Sequence, residues 1–242
     1  MESLPLFDLL PPPPQPLIMN ILIWNSRGAL KPSFQGYIHE LTRRHDPAIL
    51  VVMETKLGGS RAKEITDRLP FDGAIHTNTI GLSGGLWLLW NDDKVVVEAL
   101  AKTEQEIHVE VKVRASNLSW ILSAVYASPR TEERSLLWSN LAKVAELHNK
   151  PWIMAGDFNE PLIEEDKFGG RGVSINRSLA FKDCLDVCSM VDMKVRRLSK
   201  KELSGSRVMK VLLTFGRIVG RTLGLLDPAS KVLSLRLLLI CR

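Results

Sequence analysis

Cysteine is scarce in this chain, and the three that occur are Cys184, Cys188 and Cys241. An odd number with two of them clustered gives no disulfide framework, which excludes the small cross-linked proteins of oxidising compartments. Cys184 and Cys188 are spaced for one face of a helix. Because no second pair of Cys or His residues is near them in the sequence, we expect half-buried thiols and not a zinc site.

Long apolar runs are also lacking. The apolar segment VLSLRLLLI near the end is too short to span a bilayer and contains Arg236. The first 18 residues have no basic segment and are interrupted by Pro11–Pro14, which is not the pattern of a secretory signal. We therefore expect residues 1–18 to be an extended, disordered leader. We expect a soluble intracellular protein of the nucleus or cytoplasm, neither secreted nor in a membrane.

Acidic residues are nearly absent from the last fifth of the chain, although the net charge of +5 conceals this. Residues 1–193 contain 20 Lys and Arg against 25 Asp and Glu, whereas residues 194–242 contain 12 against 2. The basic excess therefore belongs entirely to the tail. A basic tail at 194–242 on a mildly acidic body favours non-specific binding to nucleic acid phosphates.

What the chain does contain is an alternation of short apolar runs and helical segments. Buried strands are predicted at 19–25, 48–56 and 151–159, and helices at 33–45, 60–69, 131–149 and 176–188. Turn signals separate five further strands at 73–78, 84–90, 94–100, 106–114 and 118–127, and a polar loop is predicted at 160–175. Strands alternate with helices at both ends of the chain and form a meander between them. This pattern predicts a layered α/β fold with a mixed sheet core.

Polar side chains follow four of the predicted strands, at the point where each strand ends. They are Asn25 after ILIW, Glu54 after ILVVM, Tyr126 after LSAV, and Asp157 with Asn159 after WIMAG. Ligand sites in layered α/β folds gather at strand ends, so we expect these side chains to converge. Carboxylate and amide oxygens suit a hard cation such as Mg²⁺, which takes one or two carboxylates and a substrate phosphate. The pattern indicates phosphate-ester hydrolysis.

Each of these residues also has a purely structural explanation. Asn25 fits the cap of a turn, and Glu54 fits an exposed loop position. Tyr126 fits a core residue with its hydroxyl at the surface, and Asp157 with Asn159 fits an Asx-turn. Taken singly, each residue is therefore open to both interpretations.

Six segments, taken in order, resemble the endonuclease/exonuclease/phosphatase superfamily. They are WNSRG (24–28), METK (53–56), GGLWLLWND (84–92), VYASP (125–129), GDFNE (156–160) and DKFGG (166–170). Their spacing is most similar to the endonuclease domain of plant non-LTR (LINE-type) retrotransposons, which nicks target DNA before reverse transcription. The resemblance covers about residues 19–192. It implies a four-layer α/β sandwich, a DNA substrate, and Mg²⁺ or Mn²⁺ as the cofactor.

The resemblance also implies a role for each of the five polar residues. Glu54 is similar to the principal Mg²⁺ ligand, and Asn25 to the amide that supports this carboxylate. Tyr126 is similar to the tyrosine that contacts the scissile phosphate. Asp157 resembles the acid that orients or deprotonates the attacking water, and Asn159 the amide that binds the phosphate. We therefore predict Asp157, Asn159, Tyr126 and Asn25 as catalytic residues, and Glu54, Asn25 and Asp157 as the metal site.

The resemblance ends before the last elements of the family pattern. A late strand carrying an Asp and a terminal SDH are both missing, and the five histidines all precede GDFN. A site without its histidine is expected to lose about 10²–10⁴-fold in rate. Because the late strands belong to the sheets, we also expect the fold to lack its last strands.

The final segment, 193–242, is instead a divergent tail rich in Leu, Lys and Arg, in which 207–220 and 230–240 fit amphipathic helices. We interpret it as the result of truncation or a shifted reading frame in a decayed element, with a genuine basic helical tail as the alternative. Three functions stay open at this point. They are a degenerate retrotransposon-type endonuclease with weak or no activity, a phosphatase of a small ester, and a non-enzymatic relic that binds nucleic acid through its tail.

Overall fold

The computed structural model describes residues 17–80, 83–116, 118–160, 175–192, 208–215 and 234–239. The described helices are α1 (Phe34–His45), α2 (Gly59–Thr66), α3 (Thr131–Leu147) and α4 (Ile175–Val187). The described strands are β1 (Leu17–Asn25), β2 (Ile49–Met53), β3 (Gly73–His76), β4 (Thr79–Ile80), β5 (Ser83–Gly84), β6 (Leu86–Trp90), β7 (Val95–Lys102), β8 (Glu106–Val113), β9 (Ser119–Tyr126), β10 (Trp152–Asp157), β11 (Met190–Asp192), β12 (Val208–Phe215) and β13 (Ser234–Leu239). No described helix has both the length and the apolar composition needed to cross a membrane.

The strands form two large mixed sheets and one short hairpin. The first sheet has the order β12-β1-β2-β6-β3, in which only β1 and β2 are parallel neighbours. The second has the order β11-β13-β10-β9-β8-β7. Its first four strands run parallel to one another, and β8 is antiparallel to both of its neighbours, β9 and β7. Strands β4 and β5 form the hairpin.

Side chains alternate between the two faces of each sheet, as the period of a strand requires. Ile21 and Ile23 of β1 lie in a core between the two sheets, whereas Leu22 and Trp24 pack beneath α1. On the far side of the second sheet, Leu137 of α3 packs in a third cluster that also includes side chains of α4. The layers are therefore helix, sheet, sheet and helix, which confirms the predicted four-layer α/β sandwich.

The described part of the tail corrects one prediction. The segments 207–220 and 230–240 are not helical where they are described: β12 pairs antiparallel with β1, and β13 lies between β10 and β11. A short apolar run does not by itself distinguish a helix from a buried strand. Here the two segments form strands because the edges of β1 and β10 offer backbone hydrogen bonds to an apolar strand. The predicted loss of the family's last strands stays a prediction.

Several other sequence predictions fall on undescribed residues. The leader before residue 17, most of the polar loop and the DKFGG segment (166–170) lie outside the described part of the chain. Within it, the helices and most strands match the prediction to within a few residues. The predicted strand at 84–90 is interrupted at Gly85, whose φ is +84°.

Candidate active site

The five predicted residues meet at one edge of the sandwich. Asn25, Tyr126 and Asp157 are the last residues of β1, β9 and β10, and Glu54 directly follows β2. The parallel register places Asn25 opposite Met53 and Asp157 opposite Tyr126. Because both pairs of strands are parallel, their carboxyl ends lie side by side within each sheet.

Asn25 and Glu54 are joined by a short hydrogen bond. The Asn25 Nδ2 donates to Glu54 Oε1 at 2.6 Å, while Asn25 Oδ1 accepts the backbone N–H of Arg27 at 3.2 Å. The opposite orientation of the amide would place oxygen against oxygen and N–H against N–H, so the network fixes it. Asn25 therefore caps a turn and also orients the Glu54 carboxylate, so the two interpretations of this residue are compatible.

Glu54 occupies a strained backbone position. Its φ is +52°, in the left-handed region that non-glycine residues rarely adopt. The Ser26 hydroxyl donates to the Glu54 carbonyl at 3.3 Å, and the next residue, Thr55, donates its N–H to the Gly85 carbonyl at 3.1 Å. Strain of this kind costs about 1–3 kcal/mol and persists where surrounding bonds impose it, which is common at functional sites.

Asp157 and Asn159 form the tight turn that GDFN predicted. The backbone N–H of Asn159 donates to Asp157 Oδ1 at 2.9 Å, and Asn159 has a φ of +47°. The side-chain Nδ2 of Asn159 donates to the Ala127 carbonyl at 2.6 Å. An amide nitrogen carries two hydrogens, so this bond leaves one for another acceptor. The Asx-turn therefore exists, and it holds a buried Asp157 carboxyl beside a half-buried Asn159 amide.

Burial sets the protonation states of the two central groups. Burial, with a contribution from the Glu54 charge, raises the pKa of Asp157 to about 7, although the Asn159 N–H opposes the shift. Burial also raises the pKa of Tyr126 well above its usual range, helped by the charges of Glu54 and Asp157 and by a hydrogen bond to Glu54. Near neutral pH the site therefore holds one carboxyl poised to exchange a proton and one hydroxyl that remains a donor.

A match to a known family model identifies the family of this chain. Residues 22–177, more than half of the chain, match the model of the Endonuclease/Exonuclease/phosphatase family. The chain belongs to this family. The matched range includes all five predicted site residues. The sequence matches no curated protein.

Solved structures support the same fold for this family member. It is similar to AP endonuclease LMAP from Leishmania major, with a TM-score of 0.60, 11% identity and coverage of 80% of this chain and 79% of that one. It is similar to the endonuclease domain of TRAS1, a telomere-specific non-LTR retrotransposon, with a TM-score of 0.57, 15% identity and coverage of 84% and 99%. For an endonuclease/exonuclease/phosphatase family protein from Bacteroides thetaiotaomicron, the values are 0.52, 14%, 83% and 96%.

The histidines of this family member are not part of a metal-binding cluster. Among the described residues, no three His, Cys, Asp or Glu side chains are grouped so that they could hold a metal ion. His108, for example, is 2% exposed, with its Nδ1 2.6 Å from the Ser123 hydroxyl. The acidic groups at the site are Glu54 and Asp157.

A group of cations at the rim of the site was not predicted from the sequence. Arg27, Lys31 and Lys56 are exposed residues on the loops that follow β1 and β2. The Lys31 Nζ donates to the Ser26 carbonyl at 3.0 Å, and a Cβ placed on Gly28 would lie 4.0 Å from the Lys56 Cδ. The acidic balance of residues 1–193 concealed this local grouping. The sequence motifs did indicate this grouping, because SRG and ETK place a cation within two residues of Asn25 and Glu54.

Replacing Asp157 by Asn is expected to stabilise the protein at alkaline pH. Because the folded pKa lies above the ordinary aspartate value of 3.8, the unprotonated carboxylate disfavours folding. This cost is absent below about pH 4 and is complete above about pH 7. Asp157→Asn should raise the free energy of unfolding by up to about 4 kcal/mol at pH 8 and leave it nearly unchanged at pH 3.5. Thermal unfolding at the two pH values measures the difference.

The control for this experiment is Asp93→Asn, a change at an exposed position. It should alter the unfolding temperature little at either pH, since surface substitutions of this kind are usually within about 0.5 kcal/mol. An Asp157→Asn protein that is no more stable than the native one at pH 8 would show that Asp157 titrates as an ordinary surface carboxyl.

Proposed function

We propose that this chain is a Mg²⁺-dependent phosphodiesterase that nicks DNA and derives from a retrotransposon endonuclease. The observation that carries the proposal is the convergence of Glu54 and Asp157 on Tyr126, with Glu54 oriented by Asn25 at 2.6 Å. The TRAS1 domain, which shares the fold over nearly its whole length, is named as the endonuclease of a non-LTR retrotransposon. That likeness supports the retrotransposon origin.

The donor set fits a hard divalent cation. Glu54 and Asp157 would hold it, which agrees with the one or two carboxylates that Mg²⁺ takes beside substrate phosphate. Asn25 orients Glu54 through its Nδ2, and its Oδ1, which accepts the N–H of Arg27, has a second lone pair for the cation. The charge of Glu54 contributes to the raised pKa of Asp157, so a cation between them would relieve the repulsion. A bound Mg²⁺ supplies polarisation of a phosphoryl oxygen and neutralises charge that develops there.

The remaining chemistry belongs to the side chains of the chain itself. Asp157 has a pKa of about 7 without metal, and a cation beside it would lower this value, so its carboxylate can take the proton of an attacking water near neutral pH. The water oxygen bonds to phosphorus as the bond from phosphorus to the leaving sugar oxygen breaks, and that oxygen takes a proton from solvent. The Tyr126 hydroxyl stays protonated and can donate to a phosphoryl oxygen. The second hydrogen of the Asn159 amide can donate to another phosphoryl oxygen, while the first is held by the Ala127 carbonyl.

The rim cations favour a polyanion over a small phosphate ester. Arg27, Lys31 and Lys56 lie beside the Asn25–Glu54 pair, where a strand of nucleic acid would place the phosphates that flank the cleaved one. A single phosphate monoester would not engage this surface. The proposal therefore takes DNA as the substrate. Because the terminal Asp-His pair of the family pattern is missing from the sequence, we expect a low rate.

Glu54→Ala is expected to lower Mg²⁺-dependent plasmid nicking by at least about 10²-fold, because it removes a carboxylate proposed to bind the cation. Asn25→Ala should lower it by about 10–100-fold, the usual effect of losing a group that orients a metal ligand. Conversion of supercoiled plasmid to the nicked form, with and without EDTA, measures both effects. A small phosphate ester assayed in parallel tests the alternative substrate.

Glu64→Ala is the matched control, since Glu64 is an exposed acid on α2. It should nick at the native rate. If the native protein nicks plasmid no faster than Glu54→Ala does, the endonuclease proposal is wrong. If only the small ester is hydrolysed, that ester and not DNA is the substrate.

A further inference from the structure

A buried ion pair lies directly behind the turn that carries Asp157 and Asn159. Glu160 follows this turn and is 2% exposed, and its Oε2 accepts a hydrogen bond from Arg134 Nη2 of α3 at 2.6 Å. Arg134 is itself 1% exposed. From α4, the Nε of Arg177 donates to the same carboxylate oxygen at 3.0 Å. One carboxylate therefore joins the turn to both helices of this layer.

The same arginine also holds the segment that follows β9. Arg134 Nη1 donates to the Ser128 carbonyl at 2.8 Å. One residue earlier, the Ala127 carbonyl accepts the Asn159 side chain at 2.6 Å, and the Ala127 N–H donates to the Asp157 carbonyl at 2.8 Å. The end of β9 and the turn after β10 are thus linked in two ways. Ala127 forms hydrogen bonds directly with Asp157 and Asn159, and the Arg134 guanidinium joins the Ser128 carbonyl to the Glu160 carboxylate.

Stability alone does not account for this pair. Removing two opposite charges from water costs about as much free energy as their attraction returns, and a packed apolar pair is often as stable or more so. The Arg134 Nε, moreover, is a buried donor with no hydrogen-bond partner among the described residues. What a guanidinium adds is a rigid fork of donors that fixes its acceptors relative to one another.

We infer that Arg134 and Glu160 are positioning residues that fix Tyr126 relative to Asp157 and Asn159. Both are almost fully buried, so they act through these groups and not on the substrate. The kinetic part of this inference rests on the proposed function. A displacement of about 1 Å among reacting groups costs about 10²-fold in rate, so loss of the link should lower kcat much more than it changes KM.

The test is the double variant Arg134→Met/Glu160→Met, which replaces both charges and leaves neither one buried alone. We expect kcat for plasmid nicking to fall at least about tenfold while KM changes little. Backbone amide exchange, measured by NMR, gives a readout that does not depend on turnover. The amides of Ala127 and Asn159 should exchange at least about ten times faster, because the first donates across the link to the Asp157 carbonyl and the second donates to Asp157 Oδ1 within the turn that the link holds. The amide of Ser26, which donates to β2 on the Glu54 side, should be unchanged.

Leu141→Ala is the matched control, because Leu141 is a fully buried residue of the same helix that packs in the apolar cluster and makes no side-chain hydrogen bond to the turn. It should destabilise α3 yet leave kcat and the Ala127 and Asn159 exchange rates near native values. If the double variant does not fold, Arg134→Lys serves instead, since a lysine keeps the charge but does not hold both acceptors. It should give the same changes to a smaller extent.

Native exchange at Ala127 and Asn159 in a folded variant would overturn the inference, and so would faster exchange with a native kcat. Nicking that is absent even from the native protein would instead refute the proposed function. In that case the exchange rates alone decide whether Arg134 and Glu160 hold the turn in place.

Discussion

Asp157→Asn is expected to lower kcat for plasmid nicking by about 10²–10⁴-fold, the usual contribution of a general base. The amide has nearly the shape of the carboxyl and can still accept the Asn159 N–H at 2.9 Å, so the turn should persist. What it loses is the ability to take a proton, which the native carboxylate has at neutral pH. Nicking rates of the purified proteins at saturating Mg²⁺ measure the effect.

The pH dependence of the same reaction tests the role of Asp157 more directly. Only the ionised carboxylate accepts a proton, so the native rate should rise about tenfold per pH unit below the pKa of Asp157 and level off above it, with the break below the metal-free value of about 7 because the bound cation lowers this pKa. The residual rate of Asp157→Asn should lack this rise, while Asp93→Asn should retain it. A variant that keeps the native pH profile would assign the rise to another group and remove Asp157 as the base.

Gly156→Ala is expected to abolish the folded site, with a loss of about 4 kcal/mol or more in the free energy of unfolding. Gly156 has a φ of +152°, and a Cβ built there would lie 1.7 Å from the carbonyl oxygen of Val125 in the paired strand β9. That neighbour is backbone in the centre of a sheet, so it cannot move aside without breaking the pairing next to Asp157 and Tyr126. Thermal or denaturant unfolding of the purified variant measures the loss.

The control is the same substitution at Gly36, on the exposed side of α1, where a Cβ meets nothing within 4 Å. Gly36→Ala should stabilise the protein by about 0.5–1 kcal/mol, the usual gain of alanine over glycine inside a helix. A Gly156→Ala protein with native stability would show that β9 and β10 do not approach each other as closely as the structure indicates.

The amino-acid sequence was sufficient to predict which side chains lie together at the ends of the strands. Asn25, Glu54, Tyr126 and Asp157 each follow a run of apolar residues, and such runs form buried strands wherever both faces of a sheet are covered. This information is local, since it depends on residue type and on the few positions before and after it. For the same reason the helices α1 and α3 could be placed within a few residues.

The sequence did not predict how these side chains would be joined. Asn25 and Glu54 are 29 positions apart, and Ala127 and Asn159 are 32 apart, so their hydrogen bonds depend on which strands become neighbours. The pKa of Asp157 depends on burial, which is a property of the assembled layers. Arg134 lies within the helix predicted at 131–149, and only its contact with Glu160, 26 positions away, gives it a role at the site.

The tail shows the same limit most clearly. Its apolar segments have no period that separates helix from strand, and helices were the alternative interpretation of them. In the assembled protein, β12 and β13 are strands because β1 and β10 present backbone groups that need partners. The sequence by itself determined the chemistry available at each strand end. The tertiary structure decided which of these ends meet, how strongly they are buried and which segments complete the sheets, because hydrogen bonds and desolvation depend on neighbours that are distant in the chain.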